Sequence, residues 1–447
     1  MITHMQKFVE RNSISIKLII VFFLIIVLMI PASIINELVS ERKERQNEAI
    51  KEIQSKWGEE QIITGPILCI PYQTFDLDKE GNKINLTTHK AFFLPDEINI
   101  AGSITPIVRK RDLFKVVLYQ TKLYFNGSFK FLDFSGISQK NTTILSKDAY
   151  FSIGISDMRG IEEFVSFNFN KIPLNCESGT HDNFSKGSGF TTENFDFIKD
   201  SSNLNNFSFE LSLKGSENLK FIPVGKRTNI KLISTWKTPS FDGAFLPDKR
   251  EITDTGFVAN WEILDFNRNF PQQWVDSEKD FSSSAFGVNL KLPIDLYKKT
   301  ERSTKYAILF IALTFAIFFF IEVLKNFKVH PIQYVLIGSG LCVFYLLLLS
   351  LSEQVGFDLA YLIASISVIG MIVLYAKTVF KLNRYSFMLS GILAFLYGFI
   401  YILLQMEDYA LLIGSIGLFI ILGLFMFFSR KINWYKINST SSENSIE

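Results

Sequence analysis

DLYKKTERSTKYAILFIALTFAIFFFIEVLKNFKVHPIQYVLIGSGLCVFYLLLLSLSEQVGFDLAYLIAS, residues Asp295 to Ser365, sets an ionised segment directly against long apolar runs. Before it, back to Asn36, the chain has the composition of a folded body in water. After it, the chain reads as membrane. From Tyr306 the apolar runs are Tyr306–Ile321, Pro331–Ser352, Leu359–Ala376, Tyr385–Met406 and Tyr409–Ser429. Each is long enough as a helix to cross a hydrocarbon core of ~30 Å, the first with help from Glu322 or Val323 at an interface. Leu18–Asn36 is a further uncharged run. It is longer than a signal-peptide core and lacks a small-residue cleavage site, so it is expected to stay as an anchor. Six transmembrane α-helices result, one N-terminal and five C-terminal.

The connections between runs sort by charge. One set carries Lys325 and Lys328, then Lys377, Lys381 and Arg384, then Arg430, Lys431 and Lys436. The other carries Glu353 and Asp358, then Glu407 and Asp408, without Lys or Arg. Basic short loops stay in the cytoplasm. Both termini are therefore expected in the cytoplasm and the large domain outside. No run has a charge at its centre, which argues against an ion-coupled transporter. Gly338-Ser339-Gly340 and Gly414-Ser415-Ile416-Gly417 suit close helix packing.

The expected domains are a tail at 1–17, a span at 18–36, a helical stalk at 37–58, a β-rich domain at 59–305, a five-helix bundle at 306–429 and a tail at 430–447. The stalk has helical spacing and ends at Gly58, a residue suited to a helix C-cap. From Gln61 the pattern has a period of two. Gln61–Tyr72 reads as strand, Gly-Pro turn, strand. Lys115–Phe134 reads as a hairpin turning at Asn126-Gly127. Tyr150–Ile155, Phe207–Leu213, Lys226–Trp236, Gly256–Ile263 and Ala285–Leu292 continue the alternation. The fold class is then a membrane protein with a large all-β sandwich-like domain between the first and second spans. Asn175–Asn206 reads as an inserted loop or a weakly ordered link between two halves. Phe93-Leu94-Pro95-Asp96 recurs as Phe245-Leu246-Pro247-Asp248, a hint of two related β units.

Composition agrees. The 447 residues are 48% hydrophobic with 45 Phe, and mean hydropathy is positive. A net charge of +2 speaks against nucleic acid as partner. The 3 Cys and 4 His form no metal spacing. Cys69 and Cys176 share the body, either as a disulfide or as two free thiols. No phosphate loop and no nucleophile elbow is present. Neither a cofactor nor a metal is expected, and an enzyme is the less favoured reading. Asp157-Met158-Arg159-Gly160 is a strand-end turn in which Asp157 and Arg159 either pair structurally or bind a ligand. Asp295–Lys305 alternates in sign at the expected membrane boundary, as a solvated linker, or as a contact with lipid headgroups or a coupling of the β domain to the membrane.

TGPILCIPY (Thr64–Tyr72), ISDMRGI (Ile155–Ile161), PSFDGAFLPDKREITDTGFVANW (Pro239–Trp261), TERSTKYAILFIALTF (Thr300–Phe315), HPIQYVLIG (His330–Gly338) and FYLLLLSLSEQVGF (Phe344–Phe357) carry a likeness. Through them the chain resembles the CreD family of cell-envelope integrity proteins over nearly its whole length. The resemblance implies a bacterial inner-membrane protein with a periplasmic domain. It further implies a role in envelope stress and colicin tolerance. It supplies no catalytic residues. The matched polar positions Glu301, Arg302, Lys305, Glu322, His330 and Glu353 are the candidates for function or topology. The expected partners are the lipid bilayer and an envelope protein, lipid or cell-wall component, bound through the β domain. The alternative is an enzyme handling a lipid or cell-wall precursor near Glu301 or Glu353.

Overall fold

A computed structural model describes residues 13–130, 132, 134, 141–180, 188–197, 205–277, 279–290, 292, 296–325, 329–380, 383–406 and 409–430. His181, Asp295, Lys328, Lys381, Glu407, Asp408, Lys431 and Lys436 lie outside them. The chain divides into two compact units, residues 47–293 and residues 1–46 with 294–447.

The first unit is built from two β-sheets. A ten-stranded sheet is organised around Gln61–Leu77. This strand does not turn at Gly65-Pro66. It runs straight through, and its register against Tyr150–Ile155 shifts between Thr64 and Ile67. The irregularity falls where Pro66 has no N–H to give, so the ladder loses little. The second sheet has eight strands, with Arg227–Ser234 and Glu97–Arg111 paired in parallel at its centre. Glu97–Arg111 and Phe114–Phe129 form a hairpin that turns at Asp112, where φ is 51°. Asn126-Gly127 is therefore not the turn; it lies inside the strand, opposite Asn99 and Ile98. The reason for Gly127 is space, since a Cβ there would stand 2.2 Å from the Glu97 carbonyl oxygen and 2.5 Å from Phe207.

Asn175–Asn206 is not simply a loop. Cys176–Ser178 and Gly189–Thr192 pair with each other, and the latter joins the ten-stranded sheet beside Tyr150–Ile155. Phe190 and Phe197 from this stretch enter the core. No disulfide joins Cys69 and Cys176. The repeated Phe-Leu-Pro-Asp does the same work twice. Each copy carries the chain from the ten-stranded to the eight-stranded sheet. Each aspartate then accepts a backbone N–H at 2.7 Å, Asp96 from Lys130 and Asp248 from Glu262.

One apolar core lies between the sheets. It is unusually aromatic: Phe125 stacks on Phe209 at 4.3 Å, and Phe151 on Phe167 at 4.7 Å and Phe195 at 5.2 Å. Each such pair adds roughly 0.5–1.5 kcal/mol beyond its area burial.

The second unit is helical. Its elements are α1 (Ser13–Trp57, whose last turns belong to the β unit), α2 (Leu296–Lys305), α3 (Ala307–Lys325), α4 (Pro331–Val355), α5 (Phe357–Phe380), α6 (Asn383–Gln405) and α7 (Ala410–Ser429). Among the described residues five helices are long and apolar enough to cross a membrane, or six if α2 and α3, bent by 43°, count as one span. Small residues set the close approaches. A Cβ on Gly338 would meet Leu28 of α1 at 2.1 Å, and one on Gly417 would meet Phe399 of α6 at 2.1 Å.

Candidate functional site

Asp157 and Arg159 close a latch within the β unit. Burial works to raise the Asp157 pKa. Hydrogen bonds to its carboxylate from the Arg159 side chain and the backbone N–H groups of Glu59 and Arg159 outweigh this and hold it below the ordinary value. Arg159 also donates to the Ser55 carbonyl at 2.6 Å and to Glu59 at 2.8 Å, so it satisfies a carbonyl at the C-terminal end of α1. Trp57, in the last turn, lies between the cations of Arg109 (5.0 Å) and Lys214 (4.9 Å). The turn spends its charges on holding a helix end.

In the helical unit the matched polar residues gather at two ends. At one, α2 is amphipathic and buries Tyr297, Thr300, Ser303 and Thr304. Its charged face reaches neighbouring helices. Glu301 pairs with Lys305 at 2.8 Å and with Lys43 of α1 at 3.7 Å. Arg302 donates to the Met406 carbonyl, and Lys299 to Gln405 at 2.7 Å. Tyr297 donates to Glu353 at 2.8 Å. Asp358 accepts from Tyr401 at 3.0 Å and from Gln405 at 2.5 Å. Glu301 thus holds Lys305 and Lys43, while Glu353 holds Tyr297. The arrangement joins helix ends, with Lys43, Lys299, Arg302 and Lys305 around the rim.

At the other end Glu322 is nearly fully buried. It accepts from Lys17 of α1, from Tyr334 at 2.9 Å and from the Val329 N–H at 3.0 Å. His330 instead caps α4: its Nδ1 accepts the Ile332 N–H at 3.3 Å, with Pro331 in the first turn. Glu322 and His330 thus share one connection without touching the same partner. Among the described residues no group of three or more His, Cys, Asp or Glu is placed to hold a metal ion.

A further feature lies on the outward face of the eight-stranded sheet, where a trough of about 530 Å³ opens. Strand register aligns Asn126, Asn99 and Asn229 in one row across three adjacent strands. Asn229 Nδ2 donates to Asn99 Oδ1 at 2.9 Å, and Asn99 Nδ2 donates to Asn126 Oδ1 at 3.3 Å. The next row holds Tyr124, Ala101, Lys231, Asn260 and Lys249. Ala101 is the low point between Tyr124, about half exposed, and Lys231.

A family model described as "Inner membrane protein CreD" matches residues 13–435. The chain belongs to the CreD family. Inner membrane protein CreD of Escherichia coli (strain K12) is 32% identical over 440 residues, which is 96% of each chain. The chain is thus a multi-pass inner-membrane protein.

For this member of the CreD family, reading the sequence singled out the charged positions and passed over the amides. The matched residues are divided between the two ends of the bundle, with Asp157 and Arg159 in the β unit. What the reading missed was Lys17 as the partner of Glu322, 305 positions away. It also missed the asparagine row. The available signal was Asn in strand-pattern segments at outward positions, where that residue is normally depleted.

Proposed function

We propose that this protein supports cell-envelope integrity and the envelope-stress response by docking an envelope component on its β unit. In this reading both termini are cytoplasmic and the β unit faces the periplasm. Support for the orientation comes from Lys377, Arg384 and Arg430 beside one set of helix ends and Glu353 and Asp358 beside the other. The observation that carries the docking surface is the open trough with its in-register asparagines on an otherwise regular sheet face. Photocrosslinking in intact cells tests it. A probe at Ala101 is expected to capture a defined envelope component, and a probe at Lys298 of α2 is not. Equal capture at both positions, or none at Ala101, refutes the docking face.

A second reading, lipid handling, draws on the rim of Lys43, Lys299, Arg302 and Lys305. It draws also on an apolar groove of about 1120 Å³ between α3, α6 and α7, with Arg384 among its lining residues. Catalysis by Glu301 or Glu353 has less support, because the two carboxylates serve different partners. Turnover of a lipid-linked precursor by the purified protein, lost in Glu353→Gln with the fold intact, would establish it.

A further inference from the structure

We infer that the trough on the eight-stranded sheet is a binding site for an acetamido-bearing glycan. The inference rests on the docking reading above and names the chemistry of what docks.

Four observations carry it. First, the row breaks a local rule. Asn is poorly suited to strands, yet Asn126, Asn99 and Asn229 sit side by side on three adjacent strands, two of them at the sheet centre. Such violations on a regular scaffold mark function rather than folding. Second, the row is a polarised amide chain. Each internal bond runs from Nδ2 to the next Oδ1, which leaves the Asn126 amide NH₂ at one end and the Asn229 carbonyl oxygen at the other. The row positions beyond these ends hold Ser208 and Glu262, so an acetamido group, with one N–H and one C=O, meets the end amides from above the sheet. Third, the floor is shallow and mixed. Ala101 leaves room for a ring beside Lys231, Asn260 stands on the next strand with a second amide, and half-exposed Tyr124, in register with Ala101, stands at the margin of the trough. Sugars present apolar ring faces and paired hydroxyls, and this alternation of aromatic, methyl and amide fits them. Fourth, the charges lining the trough balance. Lys231 and Lys249 stand against Asp248 and Glu262. A balanced lining does not select a polyanion, so nucleic acid or a heavily phosphorylated polymer is a poor fit.

The test uses the full-length protein in lipid nanodiscs and two probes. One is the β-1,4-linked N-acetylglucosamine tetramer. The other is the β-1,4-linked glucose tetramer, with the same backbone and hydroxyls in place of acetamido groups. Titration calorimetry is expected to show saturable binding of the first and at least tenfold weaker binding of the second. Two variants follow. The triple variant Asn99→Thr/Asn126→Thr/Asn229→Thr is expected to weaken binding more than about tenfold, the loss of two or more amide hydrogen bonds. Its Tm should hold or rise, because Thr suits a strand better than Asn. Lys231→Gln keeps the ladder and is expected to weaken binding only a few-fold, which covers the case of a triple variant that fails to fold. Lack of saturable binding of the acetamido probe overturns the inference. So does equal binding of the two probes, or unchanged binding in the triple variant. A protein adduct at Ala101 in cells, without glycan binding in vitro, overturns the ligand class and leaves the docking face standing. Absence of both removes the docking reading as well.

Discussion

Replacing Asp157 with Asn tests the latch that holds the end of α1 against the β unit. The carboxylate is mostly buried, at 9% side-chain exposure. It accepts from the Glu59 N–H at 2.9 Å, the Arg159 N–H at 3.1 Å, and the Arg159 guanidinium at 2.9 and 3.1 Å. Asn keeps one acceptor oxygen but turns an amide NH₂ toward groups that are all donors. A hydrogen bond to a charged group contributes about 1.5–3 kcal/mol. The guanidinium is half exposed, so its share falls toward the ~0–1 kcal/mol of a surface pair. The expected loss is about 2–3 kcal/mol, dominated by the two backbone bonds. For a unit of this size that lowers Tm by roughly 5–10 °C. Thermal unfolding of the full-length protein in detergent, followed by tryptophan emission, measures it, because Trp57 reports the docked helix end. The dependence on pH has a fixed sign. The folded pKa of Asp157 lies below its ordinary 3.8, so the contribution is complete above that value and is lost as pH falls through the folded pKa. The gap in Tm between wild type and Asp157→Asn should stay constant from pH 7 to pH 5 and close only below about pH 4. A shift under 1 °C, or a gap that closes near neutral pH, refutes the latch.

In the helical unit, Lys17→Ala should destabilise by about 3 kcal/mol, because it leaves the buried Glu322 carboxylate without its cation. Adding Glu322→Gln should restore part of that loss, read as thermostability in detergent; full additivity of the two changes would count against the ion pair. Gly127→Ala should cost about 1–3 kcal/mol through overpacking against the Glu97 carbonyl and Phe207. A hairpin turn at Asn126-Gly127 would instead make Gly127→Ala mainly a turn defect that speeds strand-register errors, so an unchanged Tm sinks the packing account. Cys176 should alkylate slowly at pH 8, since burial, aided by Glu193 and against the Phe167 N–H, pushes its thiol up to about 11. Intact-mass measurement after iodoacetamide treatment checks this, and rapid full labelling of the folded protein overturns it.

How far the sequence was legible follows from which forces are local. Membrane spans and alternating strands are written in neighbouring residues, because burial against lipid or against a second sheet repeats every few positions. That is why Pro331–Ser352 and Lys226–Trp236 could be marked from the sequence alone. Gly65-Pro66 and Asn126-Gly127 misled for the same reason. Both dipeptides are local turn signals, and both were overruled by partners far along the chain: Ser152 beside the first, Glu97 and Phe207 beside the second. Polar sites are worse again. Glu322 is explained by Lys17, and the Asn126–Asn99–Asn229 row exists only once strands from opposite halves of the β unit lie in register. The charged residues stood out because they lie in or beside apolar runs, where charge is rare, and the structure uses most of them to join helix ends. The amides were overlooked for different reasons: Asn126 read as a hairpin turn, Asn99 lay in a stretch not marked as strand, and Asn229 was a single polar residue in an alternating segment. Side by side, three of them are a directional hydrogen-bonding surface with a donor at one end and an acceptor at the other. A surface of that kind is costly to build for stability alone, since Thr at each position would serve the sheet better. The glycan titration therefore asks what those three amides do that Thr would not.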